Sequence, residues 1–239
     1  MTMQAPDTRD ARTAILGALR GSAPASPMPP PDLQPYLDGP HGHGSQGPRV
    51  DPSTLAESFA TAARAWRAEV LTTDAVRWPQ VVRQALEQRG CRRVAIGAAS
   101  RLPPGLDAAL TGLQVRRFDA PLEQWKGELF DAIDAGVTGA DAGIADTGTL
   151  LLRPGAHEPR TLSLVPAVHV AVLLASRLYA SLPAVLRALS PHDDMPSNLL
   201  LVSGPSKTAD IQQTLAYGAH GPKELVIVLV DDVQEGAQP

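Results

Sequence analysis

Along this chain apolar positions recur first at helical and then at strand spacing. Residues 7–20 fit a short helix. From 21 to 50 the chain collects proline, glycine and serine and loses any clear apolar period, which predicts a tether or surface arm. A firmer helix is expected after Pro52, where Thr54 and Glu57 have capping-box spacing and Leu55, Phe59, Ala62, Trp66 and Val70 follow as a core-facing stripe. Membership of that stripe makes packing the better reading of Trp66 than ligand stacking. A second helix, 78–89, should stop at Gly90 in the left-handed conformation, and 93–97 then reads as a strand.

Helix and strand continue to alternate downstream. Segments 114–118 and 198–203 read as strands, 181–189 and 208–217 as helices, and 224–230 as a closing buried strand. Between Val137 and Val172 short apolar runs are broken by glycine and proline with no room for helices, so local antiparallel pairing is expected. The run 162–175, interrupted by Pro166 and His169 and shorter than the ~20 residues that span a bilayer, reads as buried strand. The whole predicts an α/β fold: a Rossmann-like, mostly parallel, doubly wound sheet with added antiparallel strands. The expected division is an N-terminal helix and Pro/Gly-rich arm, 1–50, and a single α/β domain, 51–239.

Composition narrows the function classes. A net charge of -4 and the absence of a basic patch argue against an electrostatic grip on nucleic acid or anionic lipid. Cys91 is the only cysteine, so no intramolecular disulfide forms and no Cys-ligated iron–sulfur cluster is held by this chain alone. The start of the chain, with Asp7, Arg9, Asp10 and Arg12, lacks the apolar core of a secretory signal, so the cytoplasm is the expected compartment. His41 and His43 lie in a Gly-rich loop without a third ligand and read as solvent-exposed rather than as a metal site. No Gly-x-Gly-x-x-Gly fingerprint follows a predicted strand, and no redox cofactor is expected in this chain.

Three segments could carry chemistry. In Asp146-Thr147-Gly148-Thr149, between two apolar runs, Asp146 could take a proton, Thr147 and Thr149 could donate hydrogen bonds, and Gly148 lets the backbone approach a ligand. A tight turn with Asp146 bonded to its own backbone explains the same residues, and the local sequence leaves both readings open. Gly204, Ser206, Lys207, Thr208 and Asp210 follow a strand and open the predicted helix, so backbone N–H groups, hydroxyls and the Lys207 charge favour an anion over simple helix capping. The segment is not a phosphate-binding loop of the Gly-Lys-Thr type, since Ser206 stands where glycine is needed. Next to it, His220 between two glycines could titrate as a general acid or base, and Lys223 could be a second anion contact. His169, alternating with apolar residues after Pro166, is either a structural histidine or one that orients a ligand carboxylate. Cys91 precedes a buried strand with no histidine near it and is not expected to be a nucleophile.

Asp146-Thr147-Gly148-Thr149, Leu164-Val165-Pro166 to His169, Gly204 to Ile211 and Gly218-Ala219-His220-Gly221-Pro222 together resemble, in order and spacing, the lactate-utilization protein C family, whose domain is called LUD. The resemblance covers about residues 130–231; Asp146 stands where the family commonly has glutamate, and Lys207 where it commonly has arginine. It implies a fold similar to the NagB/RpiA/CoA-transferase group of sugar isomerases and CoA transferases. It also implies a subunit of an L-lactate utilization system, oxidising lactate to pyruvate beside iron–sulfur partner proteins that handle the electrons. In that reading Lys207, Ser206 and a helix N-terminus hold a small carboxylate or other anion, Thr147 and Thr149 orient it, and Asp146 or His220 moves a proton. The alternatives are a stand-alone acyl- or CoA-transferase-like or sugar-phosphate-isomerase-like enzyme with Asp146 as nucleophile or base, and a noncatalytic assembly module for the iron–sulfur partners.

Overall fold

The computed structural model describes residues 8–21, 51–98, 102–119, 122–189, 198–209, 215–218 and 220–233. It divides into two compact units, Met1–Pro35 and Tyr36–Pro239. The first contains helix α1 (Thr8–Gly21). The arm that carries His41 and His43 lies outside the described residues.

The second unit begins with α2 (Pro52–Ala65). Its N-cap is Asp51, whose carboxylate accepts hydrogen bonds from Ser53 N at 2.8 Å and Ser53 Oγ at 2.7 Å, so the expected Thr54–Glu57 box is not the cap. Pro52, with no N–H to satisfy, fits the first helical position and moves the cap three residues upstream, from Thr54 to Asp51. The expected stripe also runs too far. The helix ends at Ala65, Trp66 is 54% exposed, and Val70 belongs to the next strand.

The remaining elements are β1 (Glu69–Asp74), α3 (Trp78–Gln88), β2 (Arg93–Gly97), α4 (Leu106–Ala109), β3 (Gln114–Phe118), α5 (Leu122–Asp131), β4 (Ala135–Gly139), β5 (Ala142–Ile144), β6 (Thr149–Leu152), α6 (Thr161–Leu164), β7 (Val168–Leu174), β8 (Leu178–Tyr179), α7 (Leu182–Ala188), β9 (Leu200–Val202), β10 (Lys207–Ala209), β11 (Leu215–Tyr217) and β12 (Glu224–Asp231). Six strands form a parallel sheet in the order β1-β12-β7-β4-β2-β3. A second sheet, β8-β5-β6-β9, has β5–β6 and β6–β9 antiparallel and β5–β8 parallel. The stretch 137–172 is thus only partly antiparallel, because β4 and β7 join the parallel sheet. The run 162–175 likewise divides into the helical turn α6 and β7, as Pro166, with no N–H for a ladder, falls between them.

Alternation along the central strands shows that both faces of the parallel sheet are covered. On β12, Val226, Val228 and Val230 pack with Trp78, Val82 and Leu86 of α3. Leu225, Ile227 and Leu229 pack on the other face with Phe59 and Ala63 of α2 and with Leu150 and Leu152 of the second sheet. Among the described residues no helix is long and apolar enough to cross a membrane.

Where residues 208–217 are described, at 208–209 and 215–217, they are strand and not the predicted helix. β10 and β11 pair antiparallel, Lys207 opposite Tyr217 and Thr208 opposite Ala216. Ser206 N, at the start of the segment, donates to Pro222 O at 2.9 Å rather than standing free for an anion, and Gly218 N donates to Ser206 O at 3.0 Å. The apolar positions of this stretch satisfy either period, and these tertiary hydrogen bonds select the strand.

Candidate functional site

A cleft of about 540 Å³ lies at the amino ends of β7 and β12, on the face covered by α2. Its floor holds His169 and Leu225, which are in register on those two strands. The C-terminus of α2, residues 201–207 and residues 220–222 form its walls. Close approaches hold the walls together. A Cβ on Gly204 (φ 113) would overlap the Trp66 carbonyl, and one on Gly221 would sit 3.0 Å from Ser206 Cβ. In open parallel sheets ligands commonly sit at the carboxyl ends of the strands; here a smaller pocket of about 290 Å³, walled by Asp141, Arg153 and Arg177, occupies that side.

His169 is 1% exposed and its Nε2 lies 2.8 Å from Thr138 Oγ1, while Nδ1 has no hydrogen-bond partner. Burial lowers its pKa to about 4, so the ring is neutral near pH 7. Neither arrangement of the Thr138 contact satisfies Nδ1, but they differ in cost. If Nε2–H donated to Thr138, the buried hydroxyl hydrogen and the Nδ1 lone pair would both lack partners. If the hydroxyl donates to Nε2, only Nδ1–H remains unsatisfied. The second arrangement makes His169 a fixed neutral donor in the floor of the cleft, suited to an oxygen acceptor on a ligand.

Arg67 and Lys207 line the cleft, and no carboxylate is among its described lining residues; Arg67 also borders a neighbouring depression with Glu69 and Glu224. Arg67 comes from the end of α2. Arg67 N donates to Arg64 O at 2.9 Å and Ala68 N to Ala63 O at 3.1 Å, a Schellman closure with Arg67 in the left-handed position at φ 68. Lys207 stands at the start of β10, so no helix dipole assists it. Ser206 and Gly204 also line the cleft. The side chain of Thr208, and all of Asp210, lie outside the described residues.

The Asp146–Thr149 segment is adjacent to the cleft without lining it. Asp146 and Thr147 are exposed in the β5–β6 turn, and the Asp146 carboxylate makes no bond to its own backbone among those described. Gly148 (φ 61) is needed for protein packing rather than for a ligand, because an added Cβ would overlap the Ala63 backbone of α2. Thr149 is buried and bridges Thr147 Oγ1 at 2.7 Å and Ser203 Oγ at 2.6 Å. Ser203 is the member of this hydroxyl chain that reaches the cleft, so Thr147 and Thr149 act on a ligand only by orienting Ser203.

His220 is exposed at the rim. Lys223 is not part of the cleft. It borders a neighbouring depression with Glu69, Arg89 and Glu224, and its backbone N donates to Ala167 O at 2.8 Å. Cys91 is buried, and burial raises its thiol pKa, which favours the unreactive thiol. Among the described residues no group of three or more His, Cys, Asp or Glu is placed to hold a metal ion. Trp66, Arg67, Ser163 and Ser203 are cleft residues that the sequence-based site omits.

Comparison with known proteins agrees with this architecture. The LUD domain matches residues 56–230. An uncharacterised protein of Neisseria meningitidis serogroup B is 40% identical over 224 residues, 92% of this chain and 93% of its own length. The lactate utilization protein C of Halalkalibacterium halodurans is 31% identical over 169 residues, 69% of this chain and 74% of its own length. The crystal structure of a DUF162 family protein from Deinococcus radiodurans shares the fold, with a TM-score of 0.58 at 24% identity over 76% of this chain and 99% of that one. With its domain matched from the first core helix to the last strand, the chain belongs to the LUD domain family.

Proposed function

We propose that this protein is a subunit of an L-lactate utilization system and binds an organic anion in the cleft above β7 and β12. The observation that carries the reading is the unpartnered Nδ1 of buried His169, in a cleft that also holds Arg67 and Lys207 and no described carboxylate. A buried donor without a partner is costly, and a ligand oxygen would supply one. The relatives named lactate utilization protein C support the process.

In this reading Lys207 and Arg67 hold the anion, His169 donates to a ligand oxygen, and Ser203, oriented by Thr149, fixes the approach. His220 at the rim is the candidate proton carrier; Asp146, outside the cleft, is placed to act only on solvent or a partner protein. Oxidation of lactate to pyruvate releases two electrons and two protons. Cys91, the single cysteine, cannot ligate a cluster alone, so iron–sulfur partner proteins would take the electrons.

The test is complementation of a strain lacking this chain, grown on L-lactate as sole carbon source. Wild type should restore growth, and folded His169→Gln and Lys207→Ala variants should restore it poorly. Full growth with both substitutions combined would remove the cleft from the function, and growth without the chain would remove the lactate role.

A further inference from the structure

Three hydroxyls in line lead from the surface of the β5–β6 turn to the cleft. Thr149, 4% exposed, has its Oγ1 2.7 Å from Thr147 Oγ1 and 2.6 Å from Ser203 Oγ. Thr147 is exposed, and Ser203 lines the cleft. A hydroxyl has one hydrogen to donate and two lone pairs that accept. Thr149 can therefore keep both bonds and still use its own hydrogen in only two ways. In one, Thr147 donates to Thr149 and Thr149 to Ser203, which leaves the Ser203 hydrogen for the cleft. In the other, Ser203 donates to Thr149 and Thr149 to Thr147, which leaves the Ser203 lone pairs for the cleft. If both neighbours donated to Thr149, its own hydrogen would be buried without a partner. Turning the three hydroxyls together thus converts Ser203 from donor to acceptor while the contact that positions it stays in place.

Other polar side chains of the cleft have one polarity each. The Lys207 ammonium only donates, and so does His169 Nδ1–H when Thr138 donates to Nε2. Ser163 Oγ donates to Arg160 O at 3.0 Å and has only lone pairs left. Ser206 can turn, but among the described residues its hydroxyl has no bond that holds it in place. A carboxylate accepts whatever the state of the rest of the molecule, and suits Lys207 and His169. The C2 oxygen of lactate carries a hydrogen and that of pyruvate does not. A group that contacts this oxygen before and after oxidation must accept in one state and donate in the other.

We propose that Ser203 contacts the C2 oxygen of a 2-hydroxy acid and of the matching 2-oxo acid, with Thr149 and Thr147 as positioning residues that reverse its polarity between the two. Lys207 and His169 then face the carboxylate. This rests on the reading that the cleft binds an organic anion, and it narrows the ligand class to a 2-hydroxy acid and 2-oxo acid pair.

The experiment is calorimetric titration of the full chain with L-lactate, pyruvate and propionate, which has the carboxylate but no C2 oxygen. It is repeated on Ser203→Ala, Thr147→Val and Lys207→Ala, with thermal melting of each variant. Lactate and pyruvate should bind about tenfold or more tighter than propionate. Ser203→Ala should bring both down to the affinity of propionate and leave propionate unchanged. Thr147→Val removes the outer end of the chain. Pyruvate still receives the Ser203 hydrogen there, since Thr149 donates to Ser203 without help from Thr147. Lactate instead turns the Thr149 hydrogen toward a methyl group, so lactate alone should weaken, by about tenfold. Equal weakening of lactate and pyruvate in Thr147→Val, or no weakening of either, overturns the reversal of polarity. Lactate and pyruvate still tighter than propionate in Ser203→Ala overturns the Ser203 contact. Binding of all three alike, lost in Lys207→Ala, overturns the proposal and keeps the anion site. Silence toward all three overturns the anion site as well.

Discussion

His169 shows how one side chain couples the candidate site to stability. Its folded pKa of about 4 lies below the ordinary 6.5. Between those values the unfolded chain binds a proton that the folded chain refuses, so stability falls as pH drops from 6.5 to 4 and this group has no effect above the window. The loss should reach about 3 kcal/mol once both states are protonated. His169→Gln keeps a neutral hydrogen-bonding group and does not titrate. Denaturant unfolding at pH 7.5 and 4.5 should therefore show a smaller acid loss in the variant; equal losses would mean that His169 does not set the acid sensitivity. Arg67 makes the complementary point. An arginine held at positive φ costs of order 1 kcal/mol relative to glycine. The glycine at the end of α3 was readable from sequence because it ends an apolar period. Arg67 was not, since no local preference puts arginine in a left-handed turn.

Among the elements, α2 and the β5–β6 turn depend on each other. Gly148 combines φ 61 with a position where a Cβ would overlap backbone atoms of Ala62 and Ala63. Gly148→Ala should destabilise by about 3 kcal/mol or more, measured by denaturant unfolding, since neither the strain nor the overlap can relax without moving α2. A loss below about 1 kcal/mol would show that the turn can separate from the helix. Because α2 carries Trp66 and Arg67, the same substitution should also weaken ligand binding. The Asp146–Thr149 motif is visible in sequence as a glycine-centred turn with hydroxyls. That its glycine serves helix packing, and its threonines serve Ser203, depends on which elements lie beside it. The misassigned helix 208–217 has the same origin: its apolar spacing allows two periods, and only the hydrogen bonds to residues 206, 218 and 222 decide between them.

At the scale of the whole molecule β12, like β7, contributes to both large cores. Ile227 is fully buried beneath α2 and the second sheet, while its neighbours Val226 and Val228 face α3. Ile227→Ala should cost about 2–5 kcal/mol in urea unfolding, because packing from α2 and the second sheet prevents the site from collapsing around the missing atoms. A cost under about 1 kcal/mol would mean that α2 follows the smaller side chain inward.

The amino-acid sequence by itself determined the fold class and the family-bearing motifs. Alternating helix and strand periods imply a covered parallel sheet, and short glycine-interrupted runs imply the local antiparallel pair β5–β6. These follow from local patterns, which each segment carries with it. Tertiary structure alone decided the site. It moved the candidate anion contact Lys207 from a helix N-terminus to a strand, placed Asp146 and Lys223 outside the cleft, and brought in Arg67, Trp66 and Ser203. It also left His169 buried with one nitrogen unpaired. The physical reason is distance along the chain: residues 66, 169, 203 and 220 share no local period, and only the packing of α2 and the connecting loops over the ends of β7 and β12 brings them together.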